Sequence, residues 1–114
     1  MIQQLRIQQQ VAQYINQDLP SATVLMDSYS AFDAILHVRQ PRHLVITSDY
    51  DFASALRYPW THHVQYILVP DPVNGYQFDV VNRTYPTLYT HGAPWVRLQK
   101  RFGMWKLYRV LKNP

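Results

Sequence analysis

The chain has 114 residues, of which 47% are hydrophobic and 14% aromatic, and this composition excludes a disordered segment and suits one folded core. Its formal net charge of +4 permits contact with phosphates or an anionic surface, but the 11 Lys and Arg residues are spread along the sequence rather than clustered as in a nucleic-acid footprint. We therefore expect a single domain over residues 1–114 that does not bind nucleic acid.

The residue types that are missing narrow the possible chemistry further. Cysteine is absent, which excludes a disulfide framework, a thiolate zinc site and a cysteine nucleophile. No stretch approaches the run of about 18 apolar residues that a membrane span needs. The opening residues are rich in Gln where a signal peptide needs an apolar centre. We expect the chain as given neither to insert into a membrane nor to direct its own export.

Residues 1–19 have the pattern of an amphipathic helix. Apolar side chains recur there at steps of three and four residues, Gln fills most of the gaps, and Pro20 ends the pattern. This spacing places the apolar side chains on one helix face. The apolar residues are Ile2, Leu5, Val11, Ala12, Ile15 and Leu19.

Residues 20–94 alternate between short strands and short helices. Three apolar runs, at 23–26, 43–47 and 64–69, are too uninterrupted for a half-exposed strand and predict parallel strands covered on both faces. Polar residues after the first two strands predict helix N-caps: Ser28, Ser30, Ser48 and Asp49. A further helix is predicted over residues 78–85, before Pro86.

Residues 95–112 predict a β-hairpin with Gly103 in the turn. In a regular strand Val96, Leu98 and Phe102 would share one face of the first arm. The second arm is apolar at both parities, so it should lie inside the sheet and leave the first arm at the edge. The predicted fold is an α/β, small three-layer domain with a mixed sheet of about five strands.

Four aspartates are the candidates for ligand or metal binding, because each follows a predicted strand and open α/β sheets bind ligands beyond the carboxyl ends of their strands. They are Asp27, Asp49, Asp51 and Asp71. An aspartate after a strand also caps the next helix, and this interpretation is preferred. We therefore predict no metal site and no cofactor.

No catalytic residue is predicted. His62 and His63 are adjacent, so on a strand they point to opposite faces and do not chelate one ion. The three glycines form no phosphate-binding loop, and no serine has the glycine-flanked elbow of a nucleophile. The remaining candidate feature is a contact surface for a partner, formed by aromatic residues that fall in predicted loops: Tyr58, Trp60, Tyr89 and Trp95.

Four segments carry a resemblance to a known kind of protein: VLMD at 24–27, YILVPDP at 66–72, VNRTYPTLY at 81–89 and WKLYRV at 105–110. Together they resemble the C-terminal extracytoplasmic soluble domain of bacterial polytopic membrane proteins that are similar to glycosyltransferases of the dolichyl-phosphate-mannose mannosyltransferase type. The catalytic acid of that family lies near its first membrane helices, so the resemblance transfers no active-site residue.

The resemblance implies a non-catalytic soluble accessory domain at the extracytoplasmic face of the bacterial cell membrane. Its partner would be the membrane-embedded remainder of the parent chain, and its role would be stability or contacts with a partner or acceptor. The alternative is a free-standing domain that binds a small molecule or metal through the strand-end aspartates. No small-molecule ligand is expected with the first interpretation.

Overall fold

The computed structural model describes residues 2–114, with side chains from residue 6 onward. Within these residues there are five strands and five α-helices, in the order α1 (Ile2–Asp18), β1 (Val24–Met26), α2 (Phe32–His37), β2 (Leu44–Ile46), α3 (Phe52–Arg57), β3 (Tyr66–Pro70), α4 (Val80–Thr84), α5 (Leu88–His91), β4 (Val96–Phe102) and β5 (Trp105–Val110). Two 3₁₀ turns, Pro41–His43 and Tyr76–Phe78, precede β2 and α4.

The five strands form one mixed sheet in the order β2-β1-β3-β5-β4. Strand β1 pairs in parallel with both β2 and β3, whereas β5 pairs antiparallel with β3 and with β4. The parallel strands come from the strand-helix units and the antiparallel pair from the C-terminal hairpin. The predicted α/β fold with a mixed sheet of five strands is therefore confirmed.

Two hydrophobic clusters cover the two faces of the sheet. Val24 and Met26 of β1 belong to the cluster that contains α1 and α2, while Leu25 between them belongs to the cluster that contains α3, α4 and α5. This alternation is the one that a strand buried on both faces requires. The sheet therefore forms the middle of three layers, as the sequence predicts.

The predicted helix caps are wrong in position. The N-cap residue of α2 is Ala31 rather than Ser28 or Ser30, and that of α3 is Asp51 rather than Ser48 or Asp49, and neither cap residue makes a side-chain cap bond. Both helices begin after an additional turn that follows the strand. In the turn after β2, the Asp49 carboxylate accepts a hydrogen bond from the N–H of Ile46 and does not cap α3.

The predicted helix over residues 78–85 is split in two. Phe78 ends the 3₁₀ turn, and Asp79 has extended backbone (φ −53°, ψ 137°) and begins α4. The Asp79 side chain accepts hydrogen bonds from the N–H groups of Val81 and Asn82, which replaces the helical bonds that a continuous helix would supply. As a consequence, Phe78 is 71% exposed rather than packed on the core.

The hairpin has the predicted order, with β5 inside the sheet and β4 at the edge. The predicted common face of Val96, Leu98 and Phe102 is wrong, because the strand register shifts between Leu98 and Lys100. This bulge adds one residue to β4 and reverses the alternation after it. Val96 therefore packs with the α3 side and Phe102 with the α1 side. Leu98 precedes the bulge and is 48% exposed on the edge strand.

Candidate functional site

The connections of the sheet change direction beside β1. From β1 the chain passes to β2 on one side and then crosses to β3 on the other side, with α2 and α3 on opposite faces. In open α/β sheets, such a switch point leaves a crevice beyond the carboxyl ends of the strands, where ligands usually bind. Here the crevice is an open pocket of about 440 Å³, and its lining includes Asp27, Ser30 and Asp79.

Asp27, a predicted site residue, lies at this switch point and is buried. Its Oδ1 accepts a hydrogen bond of 2.7 Å from the N–H of Tyr29, and its Oδ2 accepts one of 2.7 Å from the N–H of Val80. The carboxylate thus closes the turn after β1 and anchors the start of α4 to that turn. Both oxygens already serve the backbone, which indicates a structural role.

Asp79 is the second buried carboxylate of the site, and it was not among the predicted residues. Its Oδ1 caps α4, at 2.8 Å from the N–H of Val81, whereas its Oδ2 makes no hydrogen bond of ordinary geometry. Burial raises the pKa of Asp79 to about 6. The nearby Asp27 carboxylate also raises this pKa, and the neighbouring Ser30 hydroxyl and the helix N–H groups oppose the shift.

Asn82 fixes the segment that leads from β3 to Asp79. Its buried side-chain amide donates hydrogen bonds to the carbonyls of Pro70, at 3.0 Å, and of Tyr76, at 2.9 Å. These two bonds join both ends of the segment to α4. Asp27, Asp79 and Asn82 therefore form a polar cluster whose hydrogen bonds hold three backbone segments together.

The other three predicted aspartates do not join this cluster. Asp49 is exposed and its Oδ2 accepts a hydrogen bond from the N–H of Ile46, at 2.8 Å, which closes the turn after β2. Asp51 is exposed, and Asp71 is half-buried, with its backbone N–H bonded to the carbonyl of Met104. Within residues 2–114, no three His or Asp side chains lie close enough together to hold a metal ion.

The predicted aromatic contact surface divides into exposed and buried halves. Tyr58 and Trp60 are 51% and 56% exposed. Tyr89 and Trp95 are buried, so their assignment to a contact surface is wrong. Tyr89 lies in α5 and belongs to the same hydrophobic cluster as Tyr108 of β5. Trp95 packs on Tyr85, with ring centroids 4.9 Å apart.

Three other aromatic side chains are the most exposed apolar groups near the switch point. Tyr29, Tyr50 and Phe78 are 93%, 105% and 71% exposed, and each lies in the segment that follows a parallel strand. Tyr29 and Phe78 line the crevice pocket. We call Tyr29, Tyr50 and Phe78 the aromatic rim. Its sequence signal is an aromatic residue in a polar turn after an apolar strand.

No protein-family model, curated protein or solved structure matches this chain. None of the described helices is both long and apolar enough to cross a lipid bilayer.

Proposed function

We propose that this chain is a non-catalytic accessory domain of a membrane glycosyltransferase-like protein, held at the extracytoplasmic face of a bacterial membrane. It contacts the membrane-embedded remainder of the parent protein through the aromatic rim. The observation that carries the proposal is the exposure of the three rim side chains at one end of the domain. Aromatic residues of this kind are enriched in protein interfaces and at membrane surfaces.

The direction of α1 supports this orientation. Gln8 bonds to Ser30 and Ala34 at the start of α2, and Asn16 bonds to His37 and Arg39 at its end, so the two helices run in the same direction. The helix between two parallel strands runs opposite to them. Helix α1 therefore begins at the end of the domain that carries the rim, and a membrane segment joined to α1 would bring the rim to the membrane side.

The polar cluster supports a non-catalytic role for the domain. A catalytic carboxylate needs at least one oxygen directed at the reacting group. Both oxygens of Asp27 accept backbone hydrogen bonds. The Oδ1 of Asp79 caps α4, and its Oδ2 is buried from solvent. The cluster stabilises the crevice and places Tyr29 and Phe78 at its border.

Photocrosslinking in the intact parent protein tests the proposal. The coding sequence upstream of Met1 is read first, and a photoreactive phenylalanine analogue then replaces Tyr29 or Phe78. We expect crosslinks to membrane-embedded segments of the same protein. The control is Tyr58, a half-exposed aromatic residue that ends α3, at the opposite end of the sheet.

An upstream sequence without membrane spans, or equal crosslinking from Tyr58, would overturn the proposal. The alternative, a free-standing small-molecule or metal-binding domain, is tested on the same chain by calorimetry with Mn²⁺ and with a nucleotide sugar. Saturable heat that Asp27→Asn abolishes would favour that alternative.

A further inference from the structure

A second pocket lies at the opposite end of the sheet from the aromatic rim. It is an open depression of about 750 Å³, which is within the size range of small-molecule sites. Its lining includes Thr23 before β1, Gln65 before β3 and Arg109 at the end of β5. Trp60, from the loop between α3 and β3, also lines it. The lining residues include no aspartate.

Two arginines lie directly opposite each other beside this pocket. Arg97 of β4 pairs with Arg109 of β5 in the antiparallel register, and both side chains are exposed. Directly opposed residues of two strands project on the same face, with Cβ atoms about 5 Å apart. Among residues 2–114, no ion pair joins either guanidinium to a carboxylate. Like charges in this position destabilise a sheet, and an anion bound between them removes the repulsion.

Trp60 adds an aromatic surface to the same pocket, and the C-terminal tail holds it there. The side-chain oxygen of Asn113 accepts hydrogen bonds from the N–H groups of Trp60, at 3.0 Å, and Thr61, at 3.3 Å. The Asn113 amide also donates to the Thr61 hydroxyl, at 2.8 Å. The loop is therefore fixed although the Trp60 side chain is 56% exposed. A fixed, exposed indole is a surface on which a ring stacks.

From these observations we infer that the pocket binds a phosphate ester whose organic part contains a ring. The Arg109 guanidinium, with Arg97 beside it, binds the phosphate oxygens in the forked geometry that guanidinium groups prefer. The ring packs on Trp60. This site is separate from the aromatic rim and does not depend on the proposed function.

A titration of the full chain with phenyl phosphate, followed by nuclear magnetic resonance, tests the inference. The indole N–H signal of Trp60 reports on the pocket, while the buried Trp95 and Trp105 serve as internal references. We expect saturable binding that is at least about tenfold tighter than for inorganic phosphate or phenol alone, because only the ester engages both parts of the site.

Substitutions assign the two parts of the site. Arg109→Ala should weaken binding of phenyl phosphate by about tenfold or more, since it removes the charged hydrogen bonds to the anion. Arg42→Ala, an equal charge change at an exposed residue that does not line the pocket, should change the affinity by less than about twofold. Trp60→Ala should lower the affinity for phenyl phosphate to that for inorganic phosphate.

Equal losses from Arg42→Ala and Arg109→Ala, or no saturation up to about 10 mM, would overturn the inference. Competition then identifies the source of the phosphate. Displacement of phenyl phosphate by phosphatidylcholine vesicles that contain phosphatidylinositol 4-phosphate, but not by pure phosphatidylcholine vesicles, assigns the site to a lipid headgroup. Displacement by glucose 6-phosphate alone assigns it to a soluble ester.

Discussion

The side chain of Gln8 in α1 accepts a hydrogen bond of 3.1 Å from the backbone N–H of Ala34, in the first turn of α2. The same amide donates to the carbonyl of Ser30, at 3.0 Å, and Gln8 is buried. Because α2 has no side-chain cap of its own, a residue 26 positions earlier in the chain performs the capping. This bond couples the N-terminal helix to the segment that carries Tyr29.

Replacement of Gln8 by Ala should lower the free energy of unfolding by roughly 1 to 3 kcal/mol, the usual cost of an unsatisfied buried N–H group. Denaturant unfolding measures the loss. Gln9→Ala provides the control, because Gln9 is exposed on the same helix and its removal should cost within about 0.5 kcal/mol. Equal stability of the two variants would show that α1 does not cap α2.

Asp79→Asn should stabilise the protein at neutral pH. The pKa of Asp79 is raised from 3.8 to about 6 in the folded state. The favourable contribution of this shift to the free energy of unfolding is therefore complete below about pH 4. That contribution is lost as the pH rises through about 6, where the folded protein must ionise the buried acid. The loss is about 2 to 3 kcal/mol for a shift of about two units. Asparagine keeps the cap oxygen and avoids the buried charge.

Urea melts at pH 4.5 and pH 7.5 measure this effect. We expect Asp79→Asn to be more stable than the unmodified chain by about 1 to 2 kcal/mol at pH 7.5 and to lose most of this advantage at pH 4.5. Asp51→Asn is the control, because Asp51 is exposed and makes no cap bond. The explanation fails if Asp79→Asn is destabilised equally at both pH values.

Asp27→Ala should be one of the more damaging substitutions of a polar residue in this domain. It leaves the N–H groups of Tyr29 and Val80 without their acceptor, at a cost of roughly 2 to 4 kcal/mol. Asp49→Ala removes a single bond at an exposed turn and should cost about 1 kcal/mol. Thermal unfolding of the two variants compares them, and a loss from Asp49→Ala as large as that from Asp27→Ala would contradict the structural role of Asp27.

The parallel strands could be predicted from the sequence because short apolar runs such as 66–69 are typical of strands covered on both faces. Asp27 could be identified for the same reason, as the first polar residue after such a run. Whether Asp27 is structural or binds a ligand could not be predicted, because the sequence does not show that the N–H of Val80, 53 residues away, donates the second hydrogen bond. The choice between a structural and a ligand-binding carboxylate depends on such distant contacts.

Asp79 was missed because Phe78, Val81 and Tyr85 have the spacing of one helix face. A local signal was present, since an aspartate directly before an apolar pair is a common N-cap pattern. The burial of Tyr89 and Trp95 had no such signal. Their neighbours Pro86, Gly92 and Pro94 are typical of an exposed loop, but both rings belong to a hydrophobic cluster on the sheet, where Trp95 packs on Tyr85.

The C-terminal hairpin offers a final comparison between two leucines on neighbouring strands. Leu107 of β5 is fully buried in the inner strand, whereas Leu98 of the edge strand β4 is 48% exposed. Leu107→Ala should therefore cost roughly 2 to 5 kcal/mol, from lost burial and from the cavity left behind. Leu98→Ala should cost about 0.5 kcal/mol, as surface substitutions usually do. Denaturant unfolding separates the two cases. Comparable losses would mean that Leu98 is packed in solution and that β4 is not an exposed edge strand.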